Sequence, residues 1–279
     1  MALRMGELVR STLTELRIEP TPRRVRVLVG DTTIADTTRA MVVWEPRRGV
    51  PVYAVPEADL AAELVPFSPP PPPPDLPPFL GPENFAMHTT SGEPLSVRAD
   101  GEELPGAAFR PEDPDLAGYI VLDFSAFSWI EEDEPVIGHP HDPFKRIDVL
   151  RSDRHVVVSL DGVVLADSKA PMALLETHLP VRWYLPRDDV RMDLFTPSDT
   201  RTVCAYKGEA SYLSVTDGGA DGRDLAWSYP EPLNDAAQVR DMVAFFLERC
   251  DISVDGTPMG RPVTPWSSQE EQRRGLDFA

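Results

Sequence analysis

From Arg24 to Val29 polar and apolar residues alternate, the period-2 signature of a strand with one buried face. Gly30-Asp31 supplies a turn, and a second apolar-rich run returns over Thr32–Asp36. The same pattern recurs 131 positions later, as Val156–Leu160, Asp161-Gly162 and Val163–Asp167. An Asp-Gly pair between β-branched runs is a strong hairpin signal. The register is specific: Val25, Val27, Val29, Ile34, Ala35 and Asp36 fall on Val156, Val158, Leu160, Leu165, Ala166 and Asp167. Met41, Glu45, Val50 and Tyr53 then fall on Met172, Glu176, Val181 and Tyr184. A match of this length, in phase throughout, predicts two copies of one module.

Further strands are expected at Met41–Glu45 and Val52–Ala54, and at Ala173–Thr177 and Arg182–Leu185, followed by Pro56 and Pro186 and by single acidic turns at 57–60 and 188–190. Ahead of the first copy, Leu3, Leu8, Leu13 and Leu16 mark a short helix or arm over 1–18, broken by Pro20 and Pro22. The first copy then runs into a proline-rich loop, 68–78, whose stiff polyproline conformation offers no donors to a sheet. It resumes as a strand-rich run over Tyr119–Phe127, with Lys145–Val149 as a closing segment that mirrors Glu248–Ile252. The second copy continues through Thr202–Lys207 and a strand over Ala210–Val215, and Asn234-Asp235 offers an N-cap to a short helix from Ala236 to about Met242. The expected organisation is an arm over 1–18, a first, degenerate module over 19–152, a complete second module over 153–262 and a loose tail over 263–279. The fold class is all-β, two tandem small modules with short helical turns.

Composition narrows the function classes. With 279 residues and 42% hydrophobic content, each half can bury a core of its own. No run approaches the roughly 18 apolar residues of a membrane span, and the first twenty residues mix Arg4, Arg10 and Arg17 with Glu7, Glu15 and Glu19, unlike a secretory leader. A cytoplasmic protein without membrane association is expected. Two cysteines, Cys204 and Cys250, with no C-x-x-C pair, argue against thiolate-held zinc. No metal or other cofactor is expected. A formal net charge of −19 opposes approach to DNA or RNA, and Arg23, Arg24 and Arg26, alternating with valines, read as a solvated strand face.

Several segments carry a family resemblance: Glu19-Pro20-Thr21-Pro22-Arg23-Arg24-Val25-Arg26 in the first copy, and Asp161–Ser168, Tyr184-Leu185-Pro186 with Asp189-Val190, Cys204–Tyr212, Ala226-Trp227-Ser228-Tyr229-Pro230 and Val254-Asp255-Gly256 in the second. The chain resembles the bacterial family called domain of unknown function 427, in the tandem form found in actinobacteria, over roughly 19–65 and 115–260. The resemblance implies modules similar to the β-tent fold, whose other members include methionine sulfoxide reductase B and zinc-binding modules. It implies no established reaction. A nucleotidyltransferase label sometimes attached to the family finds no support here. The chain contains neither the Gly-Ser turn that introduces paired metal-binding carboxylates nor a Gly-x-x-x-x-Gly-Lys-Ser/Thr loop; Lys207-Gly208 has the reverse order.

Three sets of residues bear chemistry. Cys204, Tyr206 and Lys207 are the densest reactive cluster: a lysine close to a thiol favours the nucleophilic thiolate, with His178 as a partner, so Cys204 and Lys207 are the candidate catalytic residues. Arg182 and Tyr184 face the same side of a strand and Trp183 the other. Converging with Tyr206, Lys207 and Tyr212, they make a cleft for a small anionic molecule. His139-Pro140-His141-Asp142 has His-x-His spacing, but its prolines favour a loop over a metal site. Glu45 and Glu176 are read as each pairing with an arginine in its own module. The leading reading is a small-molecule-binding protein using the second module's cleft. An enzyme acting through Cys204 or Lys207, and an interaction scaffold built on the proline run, stay open as alternatives.

Overall fold

The protein is described by a computed structural model covering residues 2–71, 78–268 and 270–272; part of the proline-rich loop, 72–77, lies outside them. The chain is all-β with short helical turns, and it divides into two compact units, one running to Asp142 and the other from Pro143.

The repeat is realised strand by strand. Val25–Val29 pairs with Thr32–Thr37 as Val156–Leu160 pairs with Val163–Ser168. Both hairpins bury alternate residues of the first strand, and each carries a register shift at the same place, Val27/Leu28 and Val158/Ser159. Each bulge puts one extra residue in the returning strand, which explains why the adjacent residues Ile34-Ala35 and Leu165-Ala166 are both buried. In the first unit a third and a fourth strand, Ser128–Glu131 and Glu134–Val136, complete this sheet; in the second they are Asp251–Val254 and Thr257–Met259.

The other sheet of the first unit has seven strands in the order Arg17–Pro20, Met41–Trp44, Val52–Pro56, Tyr119–Leu122, Glu102–Pro111, Gly92–Ala99, Glu63–Pro66. The second unit has the same order in two pieces. Ile147–Arg151, Met172–Glu176 and Arg182–Tyr184 form one; Ala244–Phe245, Ala226–Ser228, Gly208–Val215 and Phe195–Cys204 form the other. A bridge of two backbone bonds joins the pieces, Leu185 N–H to Val243 O at 2.8 Å and Val243 N–H to Leu185 O at 2.9 Å. Val25, Val27 and Tyr53 are completely buried in one core, and Val156, Val158 and Leu165 in the other. A fully buried aliphatic or aromatic side chain stabilises by about 1.5–3 kcal/mol, so each unit has the means to hold its own sheets together.

Four expectations are corrected. Ile147–Arg151 does not close the first copy; it pairs with Met172–Glu176 as Arg17–Pro20 pairs with Met41–Trp44. The division therefore falls between Asp142 and Pro143 rather than at 152/153, and Ser128–Glu131 is the true counterpart of Asp251–Val254. Tyr119–Phe127 is one strand over Tyr119–Leu122 followed by a 3-10 turn, Phe124–Ala126. The expected helix after Asn234-Asp235 is a kinked 3-10 segment, Asn234–Val239, with no side-chain cap. The tail is docked at least to Gln272: Thr264 is buried and donates to Glu248 at 2.6 Å, and buried Gln272 donates to the carbonyls of Pro265 and Ser267.

Candidate functional site

Glu176 ends its strand and opens a tight turn in which Leu179 N–H returns to the Glu176 carbonyl at 3.0 Å, with His178 at φ 68°. The first unit repeats this at Glu45: Arg48 N–H bonds the Glu45 carbonyl at 3.1 Å, and Arg47 has φ 69°. A left-handed non-glycine residue costs about 1–2 kcal/mol. Both copies therefore hold the carboxylate through the same strained turn.

The partners of the two carboxylates differ. Lys207 Nζ lies 2.5 Å from Glu176 Oε2 and Lys145 Nζ 3.1 Å from Oε1; Lys145 also donates to the Thr177 carbonyl at 3.1 Å. Lys207 is delivered by the turn linking Phe195–Cys204 to Gly208–Val215, and Gly208 has φ +96°. A Cβ at that glycine would stand 3.2 Å from the Glu231 carbonyl oxygen, so strain and space both require glycine there. The side chains of Glu176, Lys207 and Lys145 are 7%, 11% and 19% exposed. Burial pushes the Glu176 carboxyl up, and the charges of Lys207 and Lys145 outweigh it, holding it below its ordinary range.

The remaining expected ligand residues form an aromatic chain behind this cluster. Tyr184 is almost fully buried and its hydroxyl accepts the Trp227 indole N–H at 3.0 Å; burial pushes the phenol well above its ordinary value. Trp227 contacts Phe246 at 4.6 Å between ring centroids, and Tyr212 stacks on Phe246 at 6.4 Å while its hydroxyl meets that of Thr202 at 2.8 Å. Arg182 shares the Tyr184 side of the strand and lies over Trp227; Trp183 packs in the opposite core. The Arg182 guanidinium is itself committed, forming a fork with Glu248 at 2.9 and 2.5 Å between Trp227 and Trp266. Tyr206 is buried. Cys204 is half-buried. Lys207 makes its ion pair with Glu176, and His178 stands exposed in its turn. A shallow, solvent-open depression is lined by Arg146, Asp148, Leu175, Glu176 and Thr177; Asp148 and Leu175 are opposed in the strand pair and alternate onto the face away from the Glu176 side chain, and neither Lys145, Lys207 nor any of the three tyrosines lines it.

The first unit closes the equivalent place. The chain between Glu63–Pro66 and Gly92–Ala99 holds the topological position of the Lys207 turn. Its return segment gives Glu45 the His88 ring Nδ1 at 3.1 Å, the backbone N–H groups of Thr89 and Thr90 at 3.0 and 3.3 Å, and the Thr90 hydroxyl at 2.9 Å. Arg48 reaches Glu45 at 3.3 Å and donates to the carbonyls of Gly81, Asn84, Phe85 and Met87. His88 stacks on Phe109 at 3.7 Å. Glu45 thus has the expected arginine, whereas Glu176 has two lysines instead. Tyr53, the counterpart of Tyr184, donates to Glu131, which is also met by Arg23 at 3.1 Å and His141 Nδ1 at 3.4 Å. Among the described residues no group of three or more His, Cys, Asp or Glu side chains is placed to hold a metal ion.

Lys145, Glu248 and Trp227 were not among the expected site residues. For Lys145 a signal was present: the chain has 24 arginines and three lysines, Lys145, Lys169 and Lys207, and two of the three meet at Glu176. No curated protein matches the chain. A family model covers residues 17–69 and 148–256; its two segments begin at Arg17 and Asp148, equivalent positions of the paired strands Arg17–Pro20 and Ile147–Arg151. That model is the Domain of unknown function (DUF427), and, matched over more than half its length, the chain belongs to this family.

Proposed function

We propose that the second unit binds a small anionic molecule at the Glu176 cluster. The carrying observation is charge: two lysines converge on one buried carboxylate at 2.5 and 3.1 Å, one cation more than the carboxylate neutralises, in a protein of net charge −19. An anion entering there meets Lys145 and Lys207 as donors, while the Arg182, Tyr184, Trp227 and Tyr212 assembly holds the floor rigid. The closed first unit serves as scaffold. The acidic surface supports a protein that keeps away from nucleic acid, and a β-tent-like module would hold the cluster on a small, rigid β scaffold. A cytoplasmic location fits the two free cysteines; no helix among the described residues is long and apolar enough to cross a membrane.

A thermal-shift screen of phosphate- and carboxylate-bearing metabolites on the full chain tests this. Ligand at a hundredfold excess over Kd stabilises by about 2.7 kcal/mol, a rise of roughly 5 °C or more for a domain of this size. The rise should vanish in Lys207→Gln and shrink in Lys145→Gln. Anion-induced shifts that persist in both variants would place the site elsewhere.

A further inference from the structure

Independently of what the Glu176 cluster binds, we propose that Arg182, Glu248 and Trp227 form a peptide-recognition site through which two copies of this chain exchange the segment 262–272. The Arg182 guanidinium forks onto Glu248 at 2.9 and 2.5 Å and lies 5.6 Å from the centre of the Trp227 ring. The chain's own tail fills the site. Its Thr264 hydroxyl donates to Glu248 Oε1 at 2.6 Å, and Trp266 lies over the Arg182 guanidinium at 5.4 Å. A cation shared by two indoles and a hydroxyl on a desolvated carboxylate are strong, directional contacts. Tryptophan and arginine are also the residue types that dominate binding energy at interfaces.

The tail sits in this site as a ligand does. It keeps its own shape: Ser267 N–H bonds the Thr264 carbonyl at 3.0 Å, and the Gln272 amide donates to the carbonyls of Pro265 and Ser267 at 2.9 and 2.8 Å. The last strand, Thr257–Met259, ends before it. Trp266 stays 50% exposed while it covers Arg182, so the contact lies at the surface of the unit. The family match takes in Arg182 and Glu248 but stops at residue 256, so the module is delimited without the segment that covers the pair. The first unit is a control: its corresponding strand, Val52–Pro56, carries no charged side chain.

The occupant that fits this site is carried by every copy of the chain. Residues 260–263, which lead from the last strand to Thr264, have no regular structure, and Gly260, Arg261 and Val263 are exposed. A segment that holds its own shape on a short exposed hinge can make the same contacts on a neighbouring copy. Each copy then gives a tail and receives one, a low-cost route to a closed dimer.

The probe is a labelled peptide of residues 262–272, titrated by fluorescence anisotropy against the full chain and against full-chain Thr264→Val/Trp266→Ala, whose own tail is weakened. The double variant should bind the peptide at least about tenfold more tightly than wild type, whose tethered tail competes. Trp266→Ala alone, at a half-exposed position, gives the same reading if the double variant unfolds. Binding should be lost when the peptide itself carries Trp266→Ala. Two differently tagged wild-type copies, mixed at high concentration, should be recovered as a mixed dimer, and Trp266→Ala in both should leave monomers. No saturable binding to variants that circular dichroism shows folded overturns the site and makes the tail a fixed part of the unit. Peptide binding without a mixed dimer overturns exchange between copies and leaves the site to a foreign segment of the same hydroxyl and tryptophan chemistry.

Discussion

Glu45 and Glu176 occupy one position of the repeat and end their strands in the same left-handed turn, so their difference lies in what faces them. Each is pushed up by burial and held below its ordinary range by its partners, His88, Arg48 and Thr90 in one case and Lys207 and Lys145 in the other. The sign of the linkage follows. A carboxyl whose folded pKa lies below its unfolded value near 4.5 contributes stability that is fully present above that value and is lost as pH falls through the folded one. Glu176→Gln leaves two buried amines with a neutral partner and should cost about 3–5 kcal/mol at neutral pH. It should also flatten the decline in stability below pH 4.5, read from urea unfolding across pH; an unchanged acid limb would show that Glu176 does not carry it. The two cysteines make a second contrast. Burial pushes the Cys250 thiol up to about 12, and its Sγ donates to the Phe246 carbonyl, whereas Cys204 is half-buried. Iodoacetamide at pH 8 should therefore modify Cys204 at least tenfold faster than Cys250 in the folded protein, a ratio that denaturation removes.

The loop between Glu63–Pro66 and Gly92–Ala99 is the element that separates the two copies. Its return segment, 78–91, is fixed by Arg48, whose side chain is 2% exposed and whose guanidinium meets four loop carbonyls as well as Glu45. Arg48→Met removes all of these donors at once and leaves Glu45 with His88 and the threonines. The expected cost is about 3–5 kcal/mol, with new protease cleavage within 78–91; Arg24→Met, removing an exposed pair with Asp36, should leave the melting temperature essentially unchanged. An uncleaved loop in Arg48→Met would mean that Leu80 and Phe85, both buried, hold it unaided. None of this was readable from the residues in order. Hairpins at Val25–Thr37 and Val156–Ser168 announce themselves because a period of two and a Gly-Asp or Asp-Gly turn are local properties. The pairing of Ile147–Arg151 with Met172–Glu176 is set across some twenty residues of chain, and that segment lacks a clean alternation: its burial runs from intermediate to exposed without a buried face. The Tyr184 side of its strand was legible from alternation alone, while the commitment of Arg182 to Glu248, 66 positions away, was not. The partners of Arg48 and of Lys207 are hidden for the same reason: each pairing runs through a loop whose course no periodicity encodes.

For the molecule as a whole, the two units close their own sheets, and the position of the cut decides whether the second can stand alone. A fragment beginning at Pro143 keeps Ile147–Arg151, which covers one edge of Met172–Glu176 over five paired residues. It also keeps Lys145 on Glu176. A fragment beginning at Asp153 loses both. The bared strand then presents a row of unpaired backbone groups, Leu174, now fully buried, loses cover from Val149 opposite it, and the carboxylate keeps only Lys207. The longer fragment should therefore unfold cooperatively with a melting temperature within a few degrees of the second transition of the full chain. The shorter one should lose at least 10 °C or aggregate, since a shift of this size corresponds to roughly 3–5 kcal/mol for a domain of this length. Calorimetry of the two fragments beside the intact chain reads the difference. Equal stability would show that Ile147–Arg151 is dispensable to the second unit and that the Glu176 turn needs no support from its neighbour strand. A loss confined to the shorter fragment would assign the strand, and the lysine that precedes it, to the unit that holds Glu176.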